Sequence, residues 1–275
     1  MALSLGLTNL ILFFVAGFLL YYHSATFRYY FKVCFLNGWM LGMSLAVLPV
    51  VALRGRDVAN MRVLRLVMLP VKYILGIQIR VQGATNLNLK GPYVVVANHQ
   101  GNVDFLGMFQ ILPERCTLIA KKELFYLFTI GIACWLSGFL LVDCKKAVDS
   151  IISVAADTMV HENLRMWVFL EGPRNSPSAM LPFKDGVFHL AVKAQVPVIP
   201  VVMSSYQHFL KEKTKRFTSG KVTIRVLPPV NTEGLGPADV LELTEHVQKM
   251  MRFNFDEISG EVESKLGNEP ESAKE

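Results

Sequence analysis

The stretch Tyr93-Val94-Val95-Val96-Ala97-Asn98-His99-Gln100-Gly101-Asn102-Val103-Asp104 passes from a short, mostly β-branched apolar run into a polar loop that closes on an acid. An apolar run of this length without alternation is the pattern of a strand covered on both faces. Residues 104–112, Asp-Phe-Leu-Gly-Met-Phe-Gln-Ile-Leu, then read as a helix with its acid in the first turn. The same strand and helix alternation continues outward in both directions. Strands are predicted over 77–81, 93–97, 116–120, 139–142, 166–169, 198–203 and 222–226, and helices over 104–112, 122–136, 145–162, 186–194 and 238–256. Short buried strands separated by helices predict one α/β domain, a mostly parallel mixed sheet covered by helices.

The chain has 275 residues, of which 52% are hydrophobic and only 18% charged, against about a quarter charged in ordinary soluble domains. The excess is local. Residues 1–22 and 33–53 carry no charged side chain, and each stretch is long enough to cross a hydrocarbon core, which takes about 20 helical residues. No basic leader precedes the first stretch and no small-x-small cleavage site follows it, so it reads as a retained anchor. The domain plan is therefore a two-segment membrane anchor over 1–60, an α/β domain over 61–257 and an acidic, disordered tail over 258–275. Arg54, Arg56, Arg62 and Arg65 follow the second segment, against Arg28 and Lys32 between the two, which places the remainder in the cytosol whether the pair spans the membrane or forms a hairpin in one leaflet. A third uncharged run, 124–142, reads as a helix resting on the bilayer, a turn at Ser137-Gly138 and a buried strand, because a span there would separate polar motifs on its two sides.

The formal charge is +6, but the last twenty residues hold seven acids and two bases, so the body carries +11. Asp57 is the only acid among the first hundred residues, against nine Lys and Arg. Such a surface suits anionic partners. Nucleic acid is excluded by the lack of zinc-ligand spacing, of an RNP-like aromatic strand and of a basic heptad helix, which leaves phosphate on a lipid or small molecule. Cys34, Cys116, Cys134 and Cys144 show no paired spacing and read as buried free thiols.

Two polar blocks follow predicted strands, and in α/β sheets the carboxyl ends of strands are where ligands gather. His99 with Asp104 five residues on can form a base and its orienter, the acid accepting one imidazole N–H and leaving the other nitrogen to take a proton. The bland alternative is a loop with a helix cap, and a metal site lacks a third ligand at a standard spacing. The second block is Glu171-Gly172-Pro173-Arg174-Asn175-Ser176. Gly172 permits close backbone approach, Arg174 offers a forked donor suited to phosphate, and Glu171 can hold the guanidinium. Its bland alternative is a polar turn with a surface ion pair. Downstream, Leu181-Pro182-Phe183-Lys184-Asp185-Gly186 opens a helix and Val196-Pro197-Val198-Ile199-Pro200 opens a strand.

In this order Asn98-His99 with Asp104, Gly138-Phe139-Leu140-Leu141-Val142-Asp143, Phe169-Leu170-Glu171-Gly172-Pro173-Arg174 and Val196-Pro197-Val198-Ile199-Pro200 resemble the blocks of the glycerolipid acyltransferase superfamily, specifically its 1-acylglycerol-3-phosphate (lysophosphatidate) acyltransferases of the endoplasmic reticulum. The resemblance extends through Arg54-Gly55-Arg56, Lys121-Lys122-Glu123-Leu124 and Met203-Ser204-Ser205-Tyr206 and covers roughly residues 28–256. It implies transfer of a fatty acyl group from acyl-CoA, as co-substrate, to the sn-2 hydroxyl of lysophosphatidate, with no tightly bound cofactor and no metal. It assigns catalysis to His99 and Asp104 and acceptor phosphate binding to Glu171, Gly172 and Arg174, with Lys184 as helper and Asn98 and Lys145 in support. Attack on the thioester would be direct, since no Ser or Cys occupies a nucleophile elbow. The expected partners are the two substrates and membrane lipids, and the expected location is the endoplasmic reticulum membrane with the catalytic domain cytosolic. Leu170, Pro173 and Cys144 depart from the family's usual Pro, Thr and Arg. These departures leave another lysophospholipid or glycerol-3-phosphate as a second acceptor reading, and an inactive lipid-binding scaffold as a third.

Overall fold

A computed structural model of the chain describes residues 2–142, 148–170 and 183–267. In chain order its elements are α1 (Ala2–His23), α2 (Ala25–Arg54), α3 (Met61–Met68), α4 (Val71–Leu75), β1 (Ile77–Gln82), β2 (Val94–Ala97), α5 (Asp104–Ile111), β3 (Cys116–Lys121), α6 (Phe128–Leu136), β4 (Leu140–Val142), α7 (Val148–His161), β5 (Arg165–Phe169), α8 (Gly186–Ala194), β6 (Val198–Met203), a small hairpin β7 (Leu210–Lys211) and β8 (Arg216–Phe217), β9 (Gly220–Val226) and α9 (Val240–Gly267). Seven strands form one sheet in the order β1-β9-β6-β2-β5-β3-β4. Every pairing in it is parallel except β6 with β9. All seven predicted strands are present, within a residue or two of their expected ends, and the mostly parallel mixed sheet holds.

Alternation along β2 explains why the sheet needs cover on both faces. Val95 and Ala97 join one core with Leu106 and Met108 of α5 and Leu36 of α2, while Val94 and Val96 join a second core with Met159 of α7, Phe188 of α8 and Val247 and Met251 of α9. Successive strand side chains point to opposite faces, so an entirely apolar strand requires a helix layer above and below.

The anchor differs from its sequence reading. Both α1 and α2 are long and apolar enough to cross a membrane, but α2 begins at Ala25, and the connector is Ser24 alone, whose Oγ accepts from the Phe27 N–H. Arg28 and Lys32 lie inside α2 rather than in a loop. Lys32 is buried, donating through Nζ to the carbonyl of Leu75 at 3.0 Å and lying over the Phe217 ring, so the last carbonyl of α4 takes the place of water around the ammonium. Tyr29, Lys32, Leu36, Ser44, Val47 and Val51 form one buried stripe along α2. It is fixed by Trp39 Nε1 donating to Val67 O at 2.9 Å and by the Ser44 and Thr129 hydroxyls 2.8 Å apart.

Three other expectations are corrected. The helix over 122–136 is broken into a 3₁₀ turn, Lys122–Tyr126, and α6. Phe128 takes a left-handed φ of 46°, and Gly131 lets the turn fold back, since a Cβ there would lie 2.4 Å from the carbonyl oxygens of Leu124 and Phe125. The tail read as disordered from 258 is instead helical to Gly267. Ile258 and Val262 continue the buried stripe of α9, and Arg225 on β9 pairs with Glu257 at 2.6 Å and Glu261 at 3.4 Å. Among the thiols, Cys116 is buried and Cys134 half-buried, but Cys34 is exposed on α2. Burial pushes the Cys134 thiol up to about 12, and Cys144 lies outside the described residues.

Candidate active site

The loop 98–103 leaves the carboxyl end of β2 and is clamped to the end of β6, about a hundred residues away in the chain. Asn98 is fully buried; its Oδ1 accepts from Met203 N at 2.8 Å and its Nδ2 donates to Met203 O at 2.9 Å. Gln100 adds a second clasp, its Nε2 donating to the carbonyls of Met203 and Ser204 at 3.1 and 3.0 Å while its Oε1 accepts from Tyr206 N. On the other flank Leu170 N donates to Ala97 O at 2.9 Å. Leu170, just past the end of β5, therefore lies beside the start of the His99 loop.

Between these clamps His99 Nδ1 lies 2.6 Å from Asp104 Oδ2. The same oxygen accepts from the backbone N–H of Gln100 and, at 2.8 Å, from that of Gly101. Asp104 is the first residue of α5 and fully buried, where the helix N-terminus favours a negative charge. A carboxylate only accepts, so Nδ1 carries the proton and Nε2 is left as the atom that can take another. The ring is wedged against Phe169, centroids 4.7 Å apart, and edge-on to Phe105 at 6.5 Å, with only 17% of the side chain exposed. An oriented, nearly dry imidazole with one open nitrogen is equipped for general-base chemistry on a hydroxyl.

The structure thus brings together Asn98, His99 and Asp104. Lys184 is exposed just before α8, a helix of the α7 and α9 layer across the sheet from α5, and no described contact joins it to His99. Glu171, Gly172, Arg174 and Lys145 lie outside the described residues. Sequence reading missed Gln100, which it passed over as a spacer beside His99, and Tyr206, which it met only inside a matching block. Arg56, which it met only in a matching block and among the cations after the second segment, lies over the Trp135 ring at 5.5 Å beside Lys122 and Phe125 in an open cleft of about 480 Å³.

A family model described as Acyltransferase matches residues 78–204. The human 1-acyl-sn-glycerol-3-phosphate acyltransferase alpha is 49% identical over 255 residues, covering 91% of this chain and 90% of its own. The human beta enzyme is 41% identical over 207 residues, covering 74% of each. Among solved structures, the 1-acyl-sn-glycerophosphate (LPA) acyltransferase PlsC of Thermotoga maritima aligns with a TM-score of 0.57 at 23% identity, covering 88% of this chain and 97% of that one. That likeness extends the fold agreement to nearly the whole of both chains.

Proposed function

This chain belongs to the 1-acyl-sn-glycerol-3-phosphate acyltransferase family, and from that premise we propose that it transfers a fatty acyl group from acyl-CoA to the sn-2 hydroxyl of lysophosphatidate, giving phosphatidate and CoA. The observation that carries the mechanism is the His99–Asp104 contact of 2.6 Å at the carboxyl end of β2. Nε2 of His99 takes the proton of the acceptor hydroxyl as its oxygen attacks the thioester carbonyl. Asp104 holds the ring and balances the imidazolium, and collapse of the tetrahedral intermediate expels the CoA thiolate, to which His99 returns the proton. The thioester is already activated, so much of the remaining acceleration comes from holding two amphiphiles in register. The relatives named for lysophosphatidate support that acceptor over the alternatives raised by Leu170, Pro173 and Cys144.

Glu171, Gly172 and Arg174 are assigned to the acceptor phosphate on the strength of their block, which begins directly after Leu170 in the sequence. The test is Arg174→Ala in membranes supplied with labelled acyl-CoA and a panel of lyso-acceptors. Loss of a forked, charge-assisted contact raises the lysophosphatidate KM about 10- to 100-fold and leaves the acyl-CoA KM within about twofold. An unchanged acceptor KM removes Arg174 from phosphate binding, and preference for another lyso-acceptor by the wild type overturns the substrate.

The enzyme is assigned to the endoplasmic reticulum with its catalytic domain cytosolic. Both halves of α2 touch that domain: Lys215 lies over Tyr29 and Tyr30 at 5.3 and 5.6 Å, and the Ser44 hydroxyl lies 2.8 Å from that of Thr129. A crossing helix would carry one end about 30 Å from the cytosolic side, so these contacts favour the hairpin arrangement over two spans. The expected result is that an N-glycosylation site inserted at the Ser24 turn stays unmodified in microsomes; a glycosylated turn would put it in the lumen and restore the spanning arrangement.

A further inference from the structure

The Asp104 carboxylate is asymmetrically held. Oδ2 takes all three donors described above, while Oδ1, equally buried, has no hydrogen-bond partner among the described residues. A carboxylate bonded through one oxygen can pivot about Cβ–Cγ, and an unpaired buried oxygen is costly. A candidate donor is Tyr206, on the segment that follows β6. Its side chain is 4% exposed, and its hydroxyl lies 3.4 Å from Met203 Sδ. That sulfur packs against α5 at Gly107, where a Cβ would be 2.9 Å away. Gly107 stands three residues beyond Asp104 on the same face of the helix, so the phenol is seated under the first turn of α5. A thioether is a weak acceptor beside a carboxylate.

We propose that Tyr206 is a positioning residue for the dyad, its hydroxyl donating to Oδ1 of Asp104 and locking the carboxylate while the imidazole of His99 gains and returns its proton. The hydroxyl is a lasting donor: burial first, then the nearby Asp104 charge, hold it protonated well above the usual tyrosine range. The backbone of Tyr206 serves the same end, since its N–H grips Gln100 Oε1 next to the loop that Asp104 organises. One residue therefore ties the end of β6 to both sides of the dyad. The proposal deepens the general-base reading of His99 and rests on it.

The test is a double-mutant cycle on the purified full-length enzyme in lipid vesicles, with Tyr206→Phe made in the wild-type and Asp104→Ala backgrounds. In the wild type, Tyr206→Phe keeps the ring and lowers kcat roughly tenfold, about what one hydrogen bond to a charged group supplies, with both KM values within about twofold. In the Asp104→Ala background the same change alters kcat by less than about twofold, because a group acting through Asp104 loses its effect when Asp104 is gone. A packing role would instead give equal losses in both backgrounds. That result, or an unchanged kcat in the wild-type background, overturns the proposal. If His99→Ala itself retains activity, the general-base reading falls; if His99→Ala is inactive and Tyr206→Phe is not, only the role of Tyr206 falls.

Discussion

Replacing His99 by alanine lowers kcat/KM for phosphatidate formation by about 10²–10⁴-fold, the range that a positioned general base contributes. The loss falls on kcat, because the imidazole binds neither the acceptor phosphate nor CoA. The fold survives, since the loop does not depend on the imidazole. Asn98 and Gln100 still clasp the end of β6, and Asp104 Oδ2 still accepts from the Gln100 and Gly101 N–H groups. Initial rates with labelled acyl-CoA, read beside the thermal midpoint, check both halves. A variant that keeps its rate within about threefold would mean that the thioester reacts without a base, and His99 would be reduced to a loop residue.

Trp167→Ala destabilises the domain by about 3–5 kcal/mol, the usual cost of emptying a large buried aromatic site. Trp167 stands mid-strand in β5, paired with Val95 of β2 and Leu118 of β3, and is fully buried. Its loss would open a void under the strand that delivers Phe169 to the His99 ring. Trp167→Phe is the informative companion. The indole Nε1 is buried with no hydrogen-bond partner among the described residues, a penalty of about 1–3 kcal/mol that phenylalanine does not carry, and the lost volume costs a similar amount. The phenylalanine variant is therefore expected within about 1 kcal/mol of wild type, and unfolding in detergent micelles measures both. A Trp167→Ala protein as stable as the parent would contradict the packing described for this face of the sheet.

The strands were readable because each is an apolar run that only a doubly covered sheet can hide, and the dyad was readable because five residues of sequence bring His99 and Asp104 together at one loop. Sheet order was not readable. Nothing local in Gly220–Val226 says that β9 pairs parallel to β1 and antiparallel to β6. Nor was the clamp on the dyad, since Asn98, Gln100 and Tyr206 meet across about a hundred residues. The start of the tail was misread for the same reason: Glu261 looks like a solvated acid until β9 brings Arg225 beside it.

The anchor shows where the division falls. Hydropathy alone determined that residues 1–54 contain two long apolar helices, and motif order determined an α/β acyl-transfer domain with His99 and Asp104 at its centre. Only the tertiary structure decided what those parts lie against: that α2 buries Lys32 on the Leu75 carbonyl and runs along the catalytic domain, and that Tyr206 is buried against Met203 and Gln100. Periodicity and spacing report what a segment must hide or place within a turn or two of itself. The partner of a buried charge or an orphaned oxygen is set by which distant strand end or helix end packing brings within about 3 Å.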